Sequence, residues 1–303
     1  LAYPAGLSSR RRKSYNQRVK ETSFDPAAHT AESRAVWDEA AERYEKLSNS
    51  MFAKIAEEFV DFAGLRKKWR VLDVACGPGI ASRAAAAKID EKGSVLAVDL
   101  SPVMISRAKA APAAKRSALI AYAEMDVHAL PLESDSFDAA ISQLGLMLFA
   151  QPDKALAEMT RVTKPGGVVA CLVQGRREKM LFTSLILHAI TECEPDLRAP
   201  YGAPTLFSFG PDGAIDAAFA RAGLSELSTK RLTGTFRFAS PEEYWTTMTE
   251  GAGRTGAMLR SLDEKGQAWV KKTVLRRALK NKTRSGVEIP YEFMMARGFK
   301  SGR

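Results

Sequence analysis

From about residue 71 onward the chain alternates between short, mostly apolar runs and longer stretches with a helical period. Residues 71–74, 95–98, 119–123, 137–141 and 168–173 are such runs, the pattern of strands covered on both faces. Between them, Ser101-Pro102 offers an N-cap followed by proline at the first helical position. Pro152-Asp153 opens a stretch that puts Leu156, Met159 and Val162 on one face, and Gly166-Gly167 reads as the turn into the next strand. Upstream, Trp37, Ala40, Ala41, Tyr44 and Leu47 share one helical face, and Phe52, Ile55, Ala56, Phe59 and Ala63 share a second. Downstream, helical stretches near 180–190 and 212–222 precede strand-like runs at 227–238 and 287–296, which suit an antiparallel edge. Residues 241–283, between those runs, read as helical and open with Ser240-Pro241, Glu242 and Glu243. The alternation predicts an α/β fold built on a doubly wound, mostly parallel sheet, with helices before it and a helical cap inserted before the last strand. Ligands of such sheets gather outside the carboxyl ends of the strands. The expected organisation is a basic N-terminal arm over 1–30, lid helices over 31–70 and one domain over 71–303, with the cap at about 241–283.

Composition narrows the class. With 303 residues, 46% of them hydrophobic, the chain can bury a full core. No apolar run approaches the roughly 18 residues of a membrane span, and the Arg-rich start lacks the apolar centre of a signal peptide. A cytoplasmic protein is expected, with organellar targeting left open by the Arg- and Ser-containing start. Cys76, Cys171 and Cys193 share no metal-ligand spacing and have no histidine close by in sequence, so no metal is expected. The net charge of +10 sits at the ends: residues 271–303 hold 10 Lys/Arg against 2 Asp/Glu, whereas residues 71–170 hold 10 against 11. A near-neutral centre argues against a phosphate-lined groove there.

The candidate chemistry begins at VLDVACGPGIAS, residues 71–82. Gly77 and Gly79 let backbone approach a ligand, and the helix that follows presents free N–H groups. Asp73 can accept from an ammonium or brace the loop. Asp99 follows Gly79 by 20 residues and ends the second strand, where a carboxylate can accept both ribose hydroxyls. The layout suits a nucleoside and is shared with NAD-binding loops. Ser82 stands where the dinucleotide fingerprint wants a third glycine, and the Gly-Lys-Ser/Thr of a P-loop is absent, which weakens both phosphate readings.

VLDVACGPG, AVDLSPVMISRA, AEMDVHALPLESDSFDAAIS and ALAEMTRVTKPGG, in that order over about residues 71–174, resemble the successive motifs of class I S-adenosylmethionine-dependent methyltransferases. The nearest style is the ubiquinone/menaquinone-biosynthesis-like group, whose upstream helix resembles WDEAAERY. The resemblance implies a Rossmann-like, seven-stranded sheet and S-adenosylmethionine as cofactor. It implies that Asp73, Ala75, Gly77 and Gly79 line the methionine part, Asp99 the ribose, and Leu100 and Met104 the adenine face. Asp126 would accept from the adenine amino group and Val127 would offer a backbone N–H. Ser142 and Gln143 would sit beside the methyl donor, with Tyr44 closing over the cofactor. Gln143, Met147, Phe207 and Tyr244 are the expected substrate pocket.

Bland alternatives stand beside these roles. Asp126 also suits a turn cap, Tyr44 suits core packing, Cys76 suits a small buried residue, and His128 suits a supporting position. No catalytic base is identified. SQLGLMLF after the fourth strand lacks the Asn/Asp-Pro-Pro-aromatic motif of exocyclic-amine methyltransferases, and the cysteines do not match the arsenic-methylating group. The expected function is methylation of a small, partly apolar acceptor at O, N or C. An RNA or protein methyltransferase using the basic termini, and a catalytically silent cofactor-binding subunit, are the alternatives. A small-molecule partner is expected, nucleic acid is disfavoured, peripheral membrane contact stays open, and the oligomeric state is undetermined.

Overall fold

The computed structural model describes residues 24–112, 116–197, 199, 202–251 and 253–302. Most of the basic arm expected at 1–30 lies outside them. The chain enters through α1 (Pro26–Met51), whose start is set by Asp25 accepting from the N–H groups of Ala27 and Ala28, with proline at the first helical position. α2 (Ala53–Ala63) follows and ends on Gly64 at φ 73°, a left-handed position that glycine adopts without a Cβ penalty.

The sheet then forms from β1 (Arg70–Val74), β2 (Ser94–Asp99), β3 (Leu119–Glu124), β4 (Phe137–Gln143), β5 (Thr163–Gln174), β6 (Leu224–Phe238), β7 (Lys282–Thr283) and β8 (Gly286–Lys300). Its order is β3-β2-β1-β4-β5-β8-β6, with the two-residue β7 paired to β8. The first five strands are parallel, and β8 runs antiparallel between β5 and β6. This is the expected doubly wound α/β sheet of seven long strands, plus the β7 stub. The order reverses between β1 and β4, so the loops after these strands diverge and leave a crevice at their carboxyl ends.

Helices α3 (Ile80–Ile89), α4 (Pro102–Ala110) and α5 (Pro152–Val162) make the crossovers. Ser101 caps α4 as expected, accepting from Met104 N–H at 3.0 Å. α6 (Leu181–Cys193) and α7 (Ala214–Arg221) follow β5, and α8 (Pro241–Gly251), α9 (Gly253–Arg260) and α10 (Glu264–Ala278) lie between β6 and β7. α8 and α9 pack on α1, and α10 packs on α6. Ser240 Oγ accepts from Glu243 N–H at 3.1 Å while Glu243 accepts from Ala239 N–H at 2.5 Å, a reciprocal cap that starts α8 where the sequence indicates.

Three local expectations are corrected. β5 begins at Thr163, ahead of Gly166-Gly167, because Thr163 pairs with Phe137 before the register shifts. Leu119 is 84% exposed, since β3 is the sheet edge and has a neighbour on one side only. The helix expected to run to 283 ends at Ala278; its buried face is Val270, Thr273, Val274 and Ala278, and Leu279 stands in solvent.

Candidate active site

The glycine turn after β1 is held by hydrogen bonds from its own backbone. Cys76 N–H donates to Val98 O at 3.0 Å, and Gly79 N–H donates to Cys76 O at 2.9 Å. Gly79 sits at φ 82°, where a Cβ would come within 3.1 Å of the Tyr122 hydroxyl and of Arg83 Nη1, so the turn requires glycine. Asp99 closes it from β2: one carboxylate oxygen accepts Gly77 N–H at 2.8 Å and the other accepts Ser101 N–H at 2.9 Å. Burial raises the Asp99 pKa first, the Ser101 and Gly77 amides pull it back, and nearby Asp38 raises it again. Asp38 reaches over from α1 and accepts from Ser101 Oγ at 2.5 Å.

Asp73 is the most unusual group. It is 0% exposed, Oδ2 accepts from Ser82 Oγ at 2.5 Å, and Oδ1 has no partner among the described residues. Burial pushes its carboxyl up to about 7, against the pull of the Ser82 hydrogen bond. A buried carboxylate oxygen left unpaired is costly unless a cation or donor reaches it.

A cleft runs along these strand ends, with about 1500 Å³ of atom-free space including its open mouth. Tyr44, Asp73, Ala75, Gly77, Asp99, Leu100, Met104, Asp126, Val127, Gln143 and Met147 all line it. Two of its walls are strained: Ala75 at φ 55° and Leu144 at φ 61° hold left-handed backbone at the ends of β1 and β4, the kind of strain that gathers at functional sites.

Four expected residues do not line the cleft. Gly79 lies below it as the first cap of α3. Ser142 is fully buried under Gly145, where a Cβ would come within 2.6 Å of its hydroxyl. Tyr244 is 0% exposed and donates to Phe182 O at 2.8 Å, so the cap helix turns this side chain into the core. Phe207 carries the Arg177 guanidinium 5.0 Å from its ring centre, and its neighbour Leu206 reaches the cleft instead.

The alternative uses of several residues are also visible. Asp126 Oδ1 accepts His128 N–H at 2.9 Å and caps the short turn Val127–Ala129. His128 Nδ1 lies 2.6 Å from that same oxygen, and Nε2 accepts Gln151 N–H at 3.2 Å, so both ring nitrogens are engaged. Burial, with Asp99 and Asp73 nearby, raises the Cys76 thiol, which keeps it protonated rather than nucleophilic. Tyr44 contacts the Trp37 ring edge-on at 5.1 Å and would meet a Cβ on Gly77 at 3.7 Å.

Sequence reasoning missed the side opposite the glycine turn. His29 lies 3.3 Å from Leu148 O and within 3.1 Å of Arg254 Nη1; burial first and Arg254 second lower its pKa, which leaves the imidazole neutral. Gln174 Nε2 donates to Thr183 Oγ1 at 3.2 Å, while the Oε1 atoms of Gln174 and Gln143 are buried without partners among the described residues. The register Gln143↔Leu172 puts both glutamines on one sheet face, two residues apart along β5. Phe52, Phe182, Leu206 and Met248 add apolar wall. No local motif links positions as distant as 29 and 254.

The residues fit an adenosyl amino acid. Asp73 Oδ1 can take an ammonium, Asp99 faces the cleft where a ribose diol can compete for its oxygens, and Met104 and Leu100 offer an apolar wall to a base. Among the described residues no cluster of His, Cys, Asp or Glu could hold a metal, and no helix is long and apolar enough to cross a membrane.

Comparison with known proteins bears on the same region. Residues 72–171 match the methyltransferase domain family. An uncharacterized protein of Mycobacterium tuberculosis is 32% identical over 214 residues, 69% of this chain and 73% of that protein. The demethylmenaquinone methyltransferase of Renibacterium salmoninarum is 38% identical over 137 residues, 44% of this chain and 54% of that enzyme. Among solved structures, the YcgJ protein of Bacillus subtilis superposes with a TM-score of 0.54 at 17% identity, over 82% of this chain and 98% of that one.

Proposed function

The chain belongs to the class I S-adenosylmethionine-dependent methyltransferases, and from that membership we propose that it methylates a small, partly apolar acceptor held between the strand ends and the helical cap. When bound, S-adenosylmethionine supplies an electrophilic methyl group on a sulfonium. Asp73 Oδ1 takes the ammonium of its amino-acid tail, and the Gly77 turn and Ala75 border that tail. Asp99 binds the ribose, Met104 and Leu100 flank the adenine, and Asp126 and Val127 meet its edge. Tyr44 of α1 closes over the cofactor from the lid side. Gln143 and Met147 stand where the acceptor enters.

The observation that carries the acceptor class is the composition of the wall beyond Gln143. Phe52, Phe182, Leu206 and Met248 line it beside the neutral amides of Gln143 and Gln174 and the Thr183 hydroxyl, and the one cation on this side among the described residues, Arg254, is paired with Glu32 next to His29. Such a wall suits an apolar body with one or two hydrogen-bonding groups. None of the cations between Lys265 and Arg284 lines the cleft, so the basic C-terminal stretch lends no support to a polyanionic acceptor. With both ring nitrogens of His128 engaged and His29 Nε2 held between Leu148 O and Arg254 Nη1, methyl transfer rests on close approach and water exclusion rather than on a dedicated base.

The test is to incubate the protein with methyl-labelled S-adenosylmethionine and, separately, with small-molecule, RNA and protein pools. Label is expected in the solvent-extractable small-molecule fraction, and Gln143→Leu should reduce that transfer while cofactor affinity stays within about twofold. Label found in RNA or protein alone would sink the acceptor assignment.

A further inference from the structure

The last helix of the cap has two unlike faces. Val270, Thr273, Val274 and Ala278 are at most 4% exposed and pack toward α6. Arg277 is fastened there to Glu192 at 2.7 Å, and Cys193 Sγ meets Gly266 O at 3.9 Å. The opposite face repeats at helical spacing as Lys265, Trp269, Lys272, Arg276 and Leu279, with Lys280 beside them. Trp269 is 43% exposed and Leu279 50%. Only two other large apolar side chains among the described residues are exposed, Val103 at 38% and Leu119 at 84%, and neither lies on this face.

The charge on this face is equally one-sided. No acidic residue occurs from 265 to 287. Among the described residues, Lys265, Lys272, Arg276 and Lys280 form no ion pair, whereas Arg34, Arg107, Arg254 and Arg260 around α1 are each matched to a glutamate. A helix kept charged only for solubility has no use for an exposed tryptophan among its cations and an exposed leucine at its C-terminal end.

We infer that this face docks on an anionic membrane surface, with Trp269 and Leu279 entering the headgroup layer while Lys265, Lys272, Arg276 and Lys280 meet lipid phosphates. Tryptophan favours the membrane–water interface, and basic helices with an apolar strip bind there by burial and charge together. A nucleic acid would account for the cations and for stacking on Trp269, but it offers nothing for Leu279 to bury against. Because α10 packs on α6, and α6 contributes Phe182 and Thr183 to the cleft wall, docking would hold the acceptor side of the cleft close to the bilayer. The inference does not depend on the methyltransferase assignment.

The test uses the full chain and sedimentation with two vesicle types, 7:3 phosphatidylcholine:phosphatidylglycerol and pure phosphatidylcholine. Binding at least tenfold stronger to the anionic vesicles is expected, weakening as salt rises. Lys272→Glu with Arg276→Glu should lower partitioning by well over tenfold, since each cation near such a surface is worth roughly a fivefold change. Brominated lipid should quench tryptophan fluorescence in the wild type and much less in Trp269→Phe, which separates insertion from surface attraction. These side chains are exposed, so cofactor affinity and melting temperature should be unchanged and serve as folding controls. Vesicle binding unaffected by the double charge reversal would place it elsewhere, including the basic segment before residue 24, and overturn the inference. So would salt-steep binding to a uridine 30-mer without vesicle binding, or no binding to either.

Discussion

The two sides of the cleft are built on different principles. On the glycine-turn side, carboxylates are tied down within one crossover: Asp99 to the backbone N–H groups of Gly77 and Ser101, and Asp73 to the Ser82 hydroxyl. On the cap side, the walls come from α1, α6, α8 and α9, and their contacts join distant parts of the chain, 225 residues apart for His29 and Arg254 and 62 for Tyr244 and Phe182. The first side spends its polar groups on a ligand-ready geometry; the second buries aromatic rings and leaves two amide oxygens, Oε1 of Gln143 and of Gln174, unpaired among the described residues. Cofactor binding and acceptor choice should therefore be separable by mutation.

The sharpest break is Asp99→Ala. It removes the carboxylate that braces Gly77 and faces the proposed ribose site, a loss of about 2 to 4 kcal/mol in cofactor affinity from two charge-assisted hydrogen bonds. Calorimetry with S-adenosylhomocysteine measures this directly. An unchanged affinity would remove Asp99 from the ribose site.

A second break lies across the cleft. Tyr244→Phe deletes the hydroxyl that satisfies Phe182 O and should cost about 1 to 2 kcal/mol of stability, read as a lower denaturant midpoint. Cofactor affinity should not move, and methyl transfer at a temperature where the variant is folded should not either. A selective loss of transfer would return Tyr244 to the substrate pocket.

The same contrast explains what could be read from sequence. The glycine-turn side was legible because each requirement is local: a strand end, a left-handed glycine, and a carboxylate one crossover later. The doubly wound, mostly parallel sheet followed from the alternation of apolar runs with helices, whereas the order of its strands came only from the structure. The cap side was not legible, because an aromatic residue on an amphipathic helix looks the same whether it faces a cavity or a core. Tyr244 was placed in the pocket for that reason, and Leu206 rather than Phe207 reaches the cleft. Asp38 gave no signal because its partner, Ser101, is brought to it only when α1 lies across the strand ends. Leu279 follows the period of the helix but falls beyond its last turn, where the packed face has already ended.

The finest test concerns Asp73, buried on the glycine-turn side with Ser82 and Asp99 beside it. Its carboxyl is raised to about 7 from an ordinary 3.8, chiefly by burial. A raised carboxyl means the folded state holds the proton more tightly than the unfolded chain. This group's contribution to stability is therefore fully present below about pH 4 and is lost as pH climbs through 7. An ammonium beside Oδ1 favours the carboxylate, so cofactor binding should expel a proton in the same window. Affinity for S-adenosylhomocysteine should then rise about eightfold from pH 6 to pH 7.5 and level off above it, staying under the tenfold per unit that one proton permits. Heats of binding at pH 6.5 should differ between buffers of unlike ionisation enthalpy by an amount that reports proton release. Asp73→Asn should abolish both the slope and the buffer dependence, while its melting temperature loses the decline between pH 5 and 7. A pH-independent affinity in the wild type would mean that the ammonium sits elsewhere, and Asp73 would then be a brace for Ser82 alone.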